Sequence, residues 1–269
     1  MKDATQPADD THQPLVSVIT AVYNNVEHVA SALEAVAAKD YPRIEHVVID
    51  GGSTDGTLDV IARFKDHLAV VVSEPDSGLY DALNKGIANA NGKYIAFLHS
   101  DDLFQDDQVI SSMVTLMVAE DAEFCCSDVV IVDQESDKVL RYYMAGYFRR
   151  WLFRTGWMPP HPGCMFSRAL HDEFGLYSTQ FRIAGDFDFM VRMFYGRDIR
   201  WTYLNQVTMR MRGGGLSNAG FASKRLIVEE VQRALRQNGI WSPSVFQLAR
   251  YVIRGAELFL RPKDPRSGR

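Results

Sequence analysis

The sequence predicts an α/β protein: a mostly parallel sheet flanked by helices, followed by a C-terminal helical extension. Two observations predict it. Between residues 15 and 99, short β-branched apolar runs alternate three times with stretches whose apolar residues recur at helical spacing. The apolar runs are near-continuous, the pattern of strands covered on both faces. Composition agrees, since 46% of the 269 residues are hydrophobic and 23% charged, as in soluble globular chains. That length suits one large domain, with or without a small appendage.

The elements follow in order. "LVSVITAVY" (15–23) reads as the first strand, and "VEHVASALEAVAAK" as a helix with Val29, Leu33, Val36 and Ala37 on one face. "IEHVVID" (44–50) is the second strand. The helix "TLDVIARFK" follows a Ser/Thr/Asp start signal in which Ser53 or Thr54 is a candidate cap. "LAVVVS" (68–73), the helix "GLYDALNKGIANA" (78–90) and the strand "KYIAFLH" (93–99) complete the series, with right-handed crossovers expected. Beyond Asp102 the pattern changes. A helix near 106–119 precedes a strand in "AEFCCSDVVIVD" and a hairpin partner in "KVLRYYM". Residues 145–165, with three prolines, read as a long irregular segment. "GDFDFMVRMFYG" (185–196) is helical, with Phe189, Met193 and Phe194 on one side. "IRWTYL" (199–204) is a last strand, "RMRGGGLSN" a glycine-rich loop, and helices over about 220–238 and 244–260 end the chain.

The organisation expected is a disordered leader over 1–13, a main domain over 14–217 and the helical extension over 218–269. The leader is polar and lacks the apolar segment of a signal peptide. No run approaches the roughly 18 apolar residues of a spanning helix. The net charge of −5 gives no reason to expect nucleic acid as a partner. From Gly220 onward ten Lys/Arg face four Asp/Glu, a local +6 against −11 for the rest. In the last helix, Val245, Leu248, Val252, Ala256 and Phe259 form one stripe and Arg250, Arg254, Glu257 and Arg261 another. Such a helix either lies on an anionic membrane surface or packs on its own domain. Cys125, Cys126 and Cys164 fit no zinc spacing and read as reduced thiols. The location expected is cytoplasmic, either free or peripheral at the inner face of the cell membrane.

In open α/β sheets, ligands bind beyond the carboxyl ends of the strands. Three such ends carry candidate groups: "TAVYN" with Ala21 and Tyr23, "IDGGSTDGT" with Asp50, and "HSDD" with Asp101 and Asp102. Adjacent carboxylates at a strand end repel one another, and a hard cation such as Mg²⁺ or Mn²⁺ relieves that repulsion. A helix cap is the competing explanation for Asp101 or Asp102, and a strand-to-helix turn for the glycine-rich stretch.

Together "VSVITAVYN", "VVIDGGSTDGT", "SEPDSGLYDALNKGIANANGKYIAFLHSDD" and "AGDFDFMVRM" resemble glycosyltransferase family 2, with its GT-A fold. The resemblance runs over roughly residues 14 to 217. It implies an inverting, metal-dependent transfer of a sugar from a nucleoside diphosphate donor, a UDP-sugar favoured, to a hydroxyl of a saccharide or lipid-linked acceptor. It implies that Tyr23 and Asp50 lie beside the base, with Asp76 and Gly78 along the donor pocket. Asp101 and Asp102 match the motif that contacts the ribose and the diphosphate-bound Mn²⁺ or Mg²⁺, and Asp186 matches the catalytic base. The sequence departs from the family at His99 and at Gly51, where many members have aspartate. His161, between prolines, is a candidate acceptor contact, and Arg210 or Arg212 a candidate diphosphate contact. The competing readings are a sugar nucleotidyltransferase and a nucleotide-sugar-binding module without turnover. A nucleotidyltransferase would normally carry a glycine- and arginine-rich phosphate loop after the first strand, which "TAVYNNVEH" lacks.

Overall fold

The structure, a computed structural model, describes residues 13–133, 136–213, 221–243, 245–246 and 255. Strand β1 (Val16–Val22) is buried along its whole length and pairs in parallel with β2 (Ile44–Asp50) and β4 (Tyr94–Phe97). Strand β3 (Val70–Ser73) adds in parallel to β2. Helices α1 (Val29–Ala37), α2 (Thr57–Ala62) and α3 (Leu79–Asn89) make the crossovers. The apolar face of α1 buries Val29, Leu33 and Val36 as the spacing predicts, with Ala32 on that face in place of Ala37, which is exposed. This half is the parallel sheet read from the two periodicities.

The second half is mixed. It comprises β5 (Leu103–Phe104), α4 (Val109–Ala119), β6 (Phe124–Val132), β7 (Val139–Tyr143), β8 (Cys164–Ser167), α5 (Arg168–Phe174), α6 (Gly185–Gly196), β9 (Trp201–Arg212) and α7 (Phe221–Gln237). The sheet order is β3-β2-β1-β4-β8-β6-β9-β5, with β7 on β6. Strand β8 enters antiparallel between β4 and β6, and only β9 runs parallel to β6.

Four expectations are corrected here. The segment 145–165 is not wholly irregular: it holds two 3₁₀ turns, Arg150–Thr155 and His161–Gly163, and runs into β8 in the middle of the sheet. Helix α5 follows directly on β8, with Ser167 as its N-cap but no side-chain cap hydrogen bond. The helix expected near 106 begins at Val109, after the short strand β5. The last strand does not stop at Leu204 but continues to Arg212. Polar Asn205 and Gln206 interrupt its apolar run where the pairing with β6 shifts register beside Ser127 and Asp128, and the ladder then resumes. Arg210 and Arg212 therefore stand on a strand and not in the glycine-rich loop, whose residues 214–218 lie outside the described set.

The three cysteines are buried and free. Helix α7 packs Ile227, Val231, Ala234 and Leu235 into the main core, the one that holds Phe187, Met190 and Phe194 of α6. No helix among the described residues is long and apolar enough to cross a membrane. Most of the predicted leader and of the helix predicted over 244–260 lies outside the described residues.

Candidate active site

A cavity of about 540 Å³ opens where the carboxyl ends of β1 and β4 meet the amino ends of α3 and α6. Ala21, Tyr23, Asp76, Gly78, Asp101, Asp102, His161, Asp186 and Arg212 all line it. Nine of the residues singled out in the sequence thus meet in one place, from segments as far apart as Ala21 and Arg212. Asp50 and Arg210 do not line it.

Asp50 is fully buried and faces its own loop. Its Oδ2 accepts hydrogen bonds from the backbone N–H of Gly52 (3.1 Å) and Ser53 (3.0 Å) and from the Ser73 hydroxyl (2.7 Å). These bonds hold the turn after β2 in shape. Its Oδ1 is buried with no hydrogen-bond partner among the described residues. Ser53 and Thr54 do not cap α2 but tie this turn to the one after β1. The Ser53 Oγ accepts from Asn24 N–H, and Asn24 Oδ1 accepts from Thr54 N–H, both at 2.8 Å.

Gly51, the position of the missing aspartate, explains the next group. A Cβ there would sit inside van der Waals contact of the Asp76 Oδ2 and 3.3 Å from the Tyr23 ring. The space that a side chain at 51 would fill is held by the Asp76 carboxylate. Its Oδ1 accepts from Gly78 N–H at 2.9 Å, in a turn that Gly78 completes with φ of 124°. Tyr23 stands at the mouth, 64% exposed.

Asp101 and Asp102 fall in the turn after β4, where Asp102 N–H donates to His99 O at 3.0 Å. Helix α4 starts seven residues later, and Asp106, not the pair, serves the Gln108 N–H ahead of it. The helix-cap explanation of the pair fails on that spacing. Asp102 is 3% exposed, and burial, with the neighbouring Asp101 charge added, holds its carboxyl well above the usual range. The Arg212 backbone and guanidinium act in the opposite direction. Arg212 Nη1 is buried with no hydrogen-bond partner among the described residues. Two crowded carboxylates beside a guanidinium with an unfilled donor suit a cation and an anion arriving together. No group of three or more His, Cys, Asp or Glu able to hold a metal by themselves occurs among the described residues. Any cation here would need oxygens from its substrate.

Arg210 is drawn away by the β6–β7 turn, where Asp137 pairs with it at 2.6 Å. His161 is 4% exposed and belongs to an aromatic cluster. Its ring lies 4.8 Å from that of Phe97, and its Nε2 shares a hydrogen bond with the Tyr177 hydroxyl at 2.8 Å. Burial pushes its pKa well below the ordinary histidine range.

Asp186 occupies the first turn of α6, inside the helix; Ala184 is the N-cap. Its Oδ1 accepts from Phe187 N–H at 2.8 Å and lies 3.0 Å from the Tyr80 hydroxyl, which also contacts Ile183 O at 2.5 Å. Gly185 permits this approach, since a Cβ there would meet the Tyr80 ring at 2.8 Å. No hydrogen bond of Oδ2 occurs among the described residues. Burial raises the Asp186 pKa to about 6. Asp188 is turned away, paired with Arg192 at 2.9 Å.

Sequence reasoning missed Glu230. From α7 it reaches across to accept the N–H groups of Arg182 (2.8 Å), Ile183 (2.9 Å) and Ala184 (2.9 Å), the backbone that leads into Asp186. It is 3% exposed. A glutamate on a helix that looked like an appendage gave no signal, except that it interrupts the apolar face.

Residues 17–175 match the family described as glycosyl transferase family 2. An uncharacterized glycosyltransferase of Mycobacterium tuberculosis is 35% identical over 191 residues, 68% of this chain and 70% of its own. A PGL/p-HBAD biosynthesis glycosyltransferase of Mycobacterium bovis is 29% identical over 210 residues, 76% of this chain and 80% of its own. Among solved structures, a mannosyltransferase from Pyrobaculum calidifontis in complex with GDP-Man and Mn²⁺ superposes with a TM-score of 0.63 at 21% identity. That match covers 94% of this chain and 72% of the other. Staphylococcus aureus TarS 1–349 in complex with UDP-GlcNAc gives 0.63 at 18% identity, over 80% of this chain. The chain spans 66% of that fragment's length. These likenesses show the GT-A fold expected from the sequence.

Proposed function

Because the chain belongs to glycosyl transferase family 2, we propose that it is an inverting, metal-dependent enzyme. It would move a sugar from a UDP-sugar to a hydroxyl of a saccharide or lipid-linked acceptor. The observation that carries the reading is the single cavity, with the Asp101/Asp102 pair and Arg212 on one wall and Asp186 on another.

Tyr23 offers a ring face to the base. Asp76 Oδ2, beside that ring, is the acceptor we assign to the uracil imino N–H, in the role that a side chain at 51 could have taken. Asp101 and Asp102 would hold Mn²⁺ or Mg²⁺ together with diphosphate oxygens, and the ion when bound neutralises the charge of the leaving group. Arg212 Nη1 donates to the same diphosphate. The acceptor oxygen attacks the anomeric carbon while the bond to the diphosphate oxygen breaks and its electron pair leaves with UDP. The acceptor proton passes to Asp186. A carboxyl with a pKa of about 6 is ionised at neutral pH, yet basic enough to take that proton. Asp76, Asp101 and Asp102 being assigned to the donor, no second carboxylate of the cavity is left among the described residues to form a covalent intermediate, and direct displacement inverts the anomeric centre, by the logic that separates the two classes of glycosidase.

Contact with a membrane surface belongs to the same reading. Trp241, Val245 and Phe246 are exposed, and Ser242 ties this segment to Arg154 through a 2.6 Å hydrogen bond. Liposome flotation with and without residues 240–269 tests it, and equal flotation ends it.

The activity is tested with a panel of nucleotide sugars in Mn²⁺, read as release of nucleoside diphosphate. Release from a UDP-sugar that is lost in Asp102→Ala supports the enzyme; tight binding of UDP with no release from any donor favours a binding module.

A further inference from the structure

The Tyr80 hydroxyl has one proton and two acceptors. From α3 it stands 2.5 Å from Ile183 O and 3.0 Å from Asp186 Oδ1. Its ring is 4% exposed and packs on Gly185, with the Tyr177 ring 5.9 Å away, so the oxygen is fixed in place. Burial, with the Asp186 charge added, pushes the phenol well above the ordinary tyrosine range. Tyr80 therefore keeps its proton, and only the direction of its O–H bond is free to change.

The two acceptors differ in one respect. Ile183 O is a carbonyl of constant charge, whereas Asp186 is ionised before it takes the acceptor proton and neutral afterwards; this part rests on the function proposed above. A hydrogen bond to an ionised group is roughly twice as strong as one to a neutral group. Oδ1 already accepts from Phe187 N–H. Oδ2, without a bond among the described residues, is the oxygen left to receive the proton. While the carboxylate is charged, Oδ1 is the stronger acceptor for Tyr80. Once Oδ2 is protonated, Ile183 O is the stronger, and the hydroxyl reaches it by rotating about its own C–O bond.

We propose that Tyr80 is a positioning residue whose hydroxyl follows the charge of Asp186, donating to Oδ1 of the ionised carboxylate and to Ile183 O when the carboxyl is protonated. Burial and the Glu230 charge push the Asp186 carboxyl up, while the Phe187 N–H and the Tyr80 hydroxyl pull it down. The other titratable groups packed around Asp186 leave this part to Tyr80. Cys164 of β8, Tyr177 before α6 and His161 before β8 are all kept neutral by burial. The oxygens of Glu230 accept three backbone N–H groups from α7. Arg141, Arg182, Arg212 and the Asp101/Asp102 pair line the adjoining cavities, and their charges are the same with or without the Tyr80 hydroxyl.

The test titrates Asp186 directly. In the full chain, without donor or metal, ¹³C-labelled aspartate carboxyl signals are followed by NMR against pH, and Asp186 is assigned by its absence in Asp186→Asn. Tyr80→Phe keeps the ring and removes the hydroxyl. The Asp186 midpoint should then rise by about one pH unit, as loss of a hydrogen bond to a charged group implies. An unchanged or lowered midpoint overturns the proposal, because the proton then stays on Ile183 O and a Tyr80 lone pair faces the carboxylate. A second readout needs no substitution at 80: the Tyr80 ¹³Cζ signal of the native chain should shift at the Asp186 midpoint and lose that step in Asp186→Asn. A Tyr80 signal that ignores that midpoint overturns the proposal even if Tyr80→Phe fails to fold. The pH profile of kcat/KM for transfer decides the separate question of function. Its rising limb should move up with the carboxyl in Tyr80→Phe; a limb that stays while the carboxyl moves removes Asp186 as the base and leaves the Tyr80 bond to it standing.

Discussion

The donor wall and the Asp186 wall of the cavity are built by different means. On the donor wall, Ala21, Tyr23, Asp76, Gly78 and the Asp101/Asp102 pair all sit within a few residues of a strand end, and short-range bonds shape their turns. Asp50 with Gly52 and Ser53 is one example, and Asp76 with Gly78 another. On the other wall, Asp186 is held from far along the chain. Tyr80 reaches it from α3 over 106 residues, and Glu230 holds the preceding backbone from α7. A site half local and half long-range should respond differently to substitution on its two walls: ligand affinity should fail on the first, and chemistry on the second, with stability shifting as well.

The largest effect is expected at Asp186. Asp186→Asn keeps the shape of the side chain and removes the base, so turnover should fall by about 10²–10⁴-fold while UDP affinity holds. The same variant should be more stable. A carboxyl whose folded pKa is raised, here to about 6 from 3.8, is easier to protonate in the folded state. Its ionisation therefore opposes folding above pH 6, and the penalty fades as the pH falls toward 4. Asn should thus raise the melting temperature at pH 8 by about 2–4 °C for each kcal/mol relieved, and not at pH 4. For the native enzyme, kcat/KM for transfer should rise with pH and level off above about 6, and a flat profile down to pH 5 would remove Asp186 as the base.

Next comes the cation. Chelation should abolish turnover and added Mn²⁺ should restore it, whereas Asp102→Asn should lower turnover by about 10²–10³-fold with no rescue by Mn²⁺. Since the described residues offer no complete ligand set, Mn²⁺ should bind weakly alone and markedly more tightly with UDP present. Calorimetry in both orders of addition measures that coupling.

This contrast also explains what could be read from the chain. The donor wall was legible because its residues are contiguous with their strands: apolar runs fix the strands, and the polar residues that end them are the lining. Even there no periodicity reports which way a strand-end carboxylate points: Asp50 turns one oxygen back on its own loop, to Gly52 and Ser53, and keeps the other without a partner among the described residues. Asp186 itself could be picked out, but not what holds it. Strand β8 is only four residues long and was hidden in a proline-rich stretch, and β9 was cut short at Asn205 because its ladder survives a register shift that breaks the apolar pattern. Glu230 looked like one solvated charge among many on a basic helix.

Glu230 therefore breaks the comparison most directly, because a residue outside the recognisable motifs should affect catalysis. Glu230→Gln retains one acceptor oxygen for three backbone donors, and burying the others unpaired should cost about 1–3 kcal/mol of stability. Loosening of residues 182–184 should lower kcat several-fold with UDP affinity unchanged. An Asp at 230, too short to span the gap, should be worse than Gln. Equal stability of Glu230→Gln and the native chain would show that the N–H groups find other partners and that α7 is an appendage to the site after all.

The smallest effect sharpens the donor side. At Gly51 a single methyl group is enough, because Cβ would clash with Asp76 Oδ2. The backbone at 51 does not need a left-handed conformation, unlike Gly52 with φ of 85°, so Ala can be accommodated there without strain of its own. What gives way is the Asp76 side chain, whose Oδ1 is tied to Gly78 N–H. If Asp76 reads the base, Gly51→Ala should weaken UDP binding by about tenfold, the worth of one good hydrogen bond. Turnover at saturating donor should be nearly unchanged, because Asp186 and the Asp101/Asp102 pair are untouched. Asp76→Ala should weaken UDP to the same extent, and the double variant should be no worse than either single one, since both remove one interaction. Additive losses would mean that the methyl group at 51 acts on Tyr23, 3.3 Å away, and that Asp76 and the ring hold the base independently.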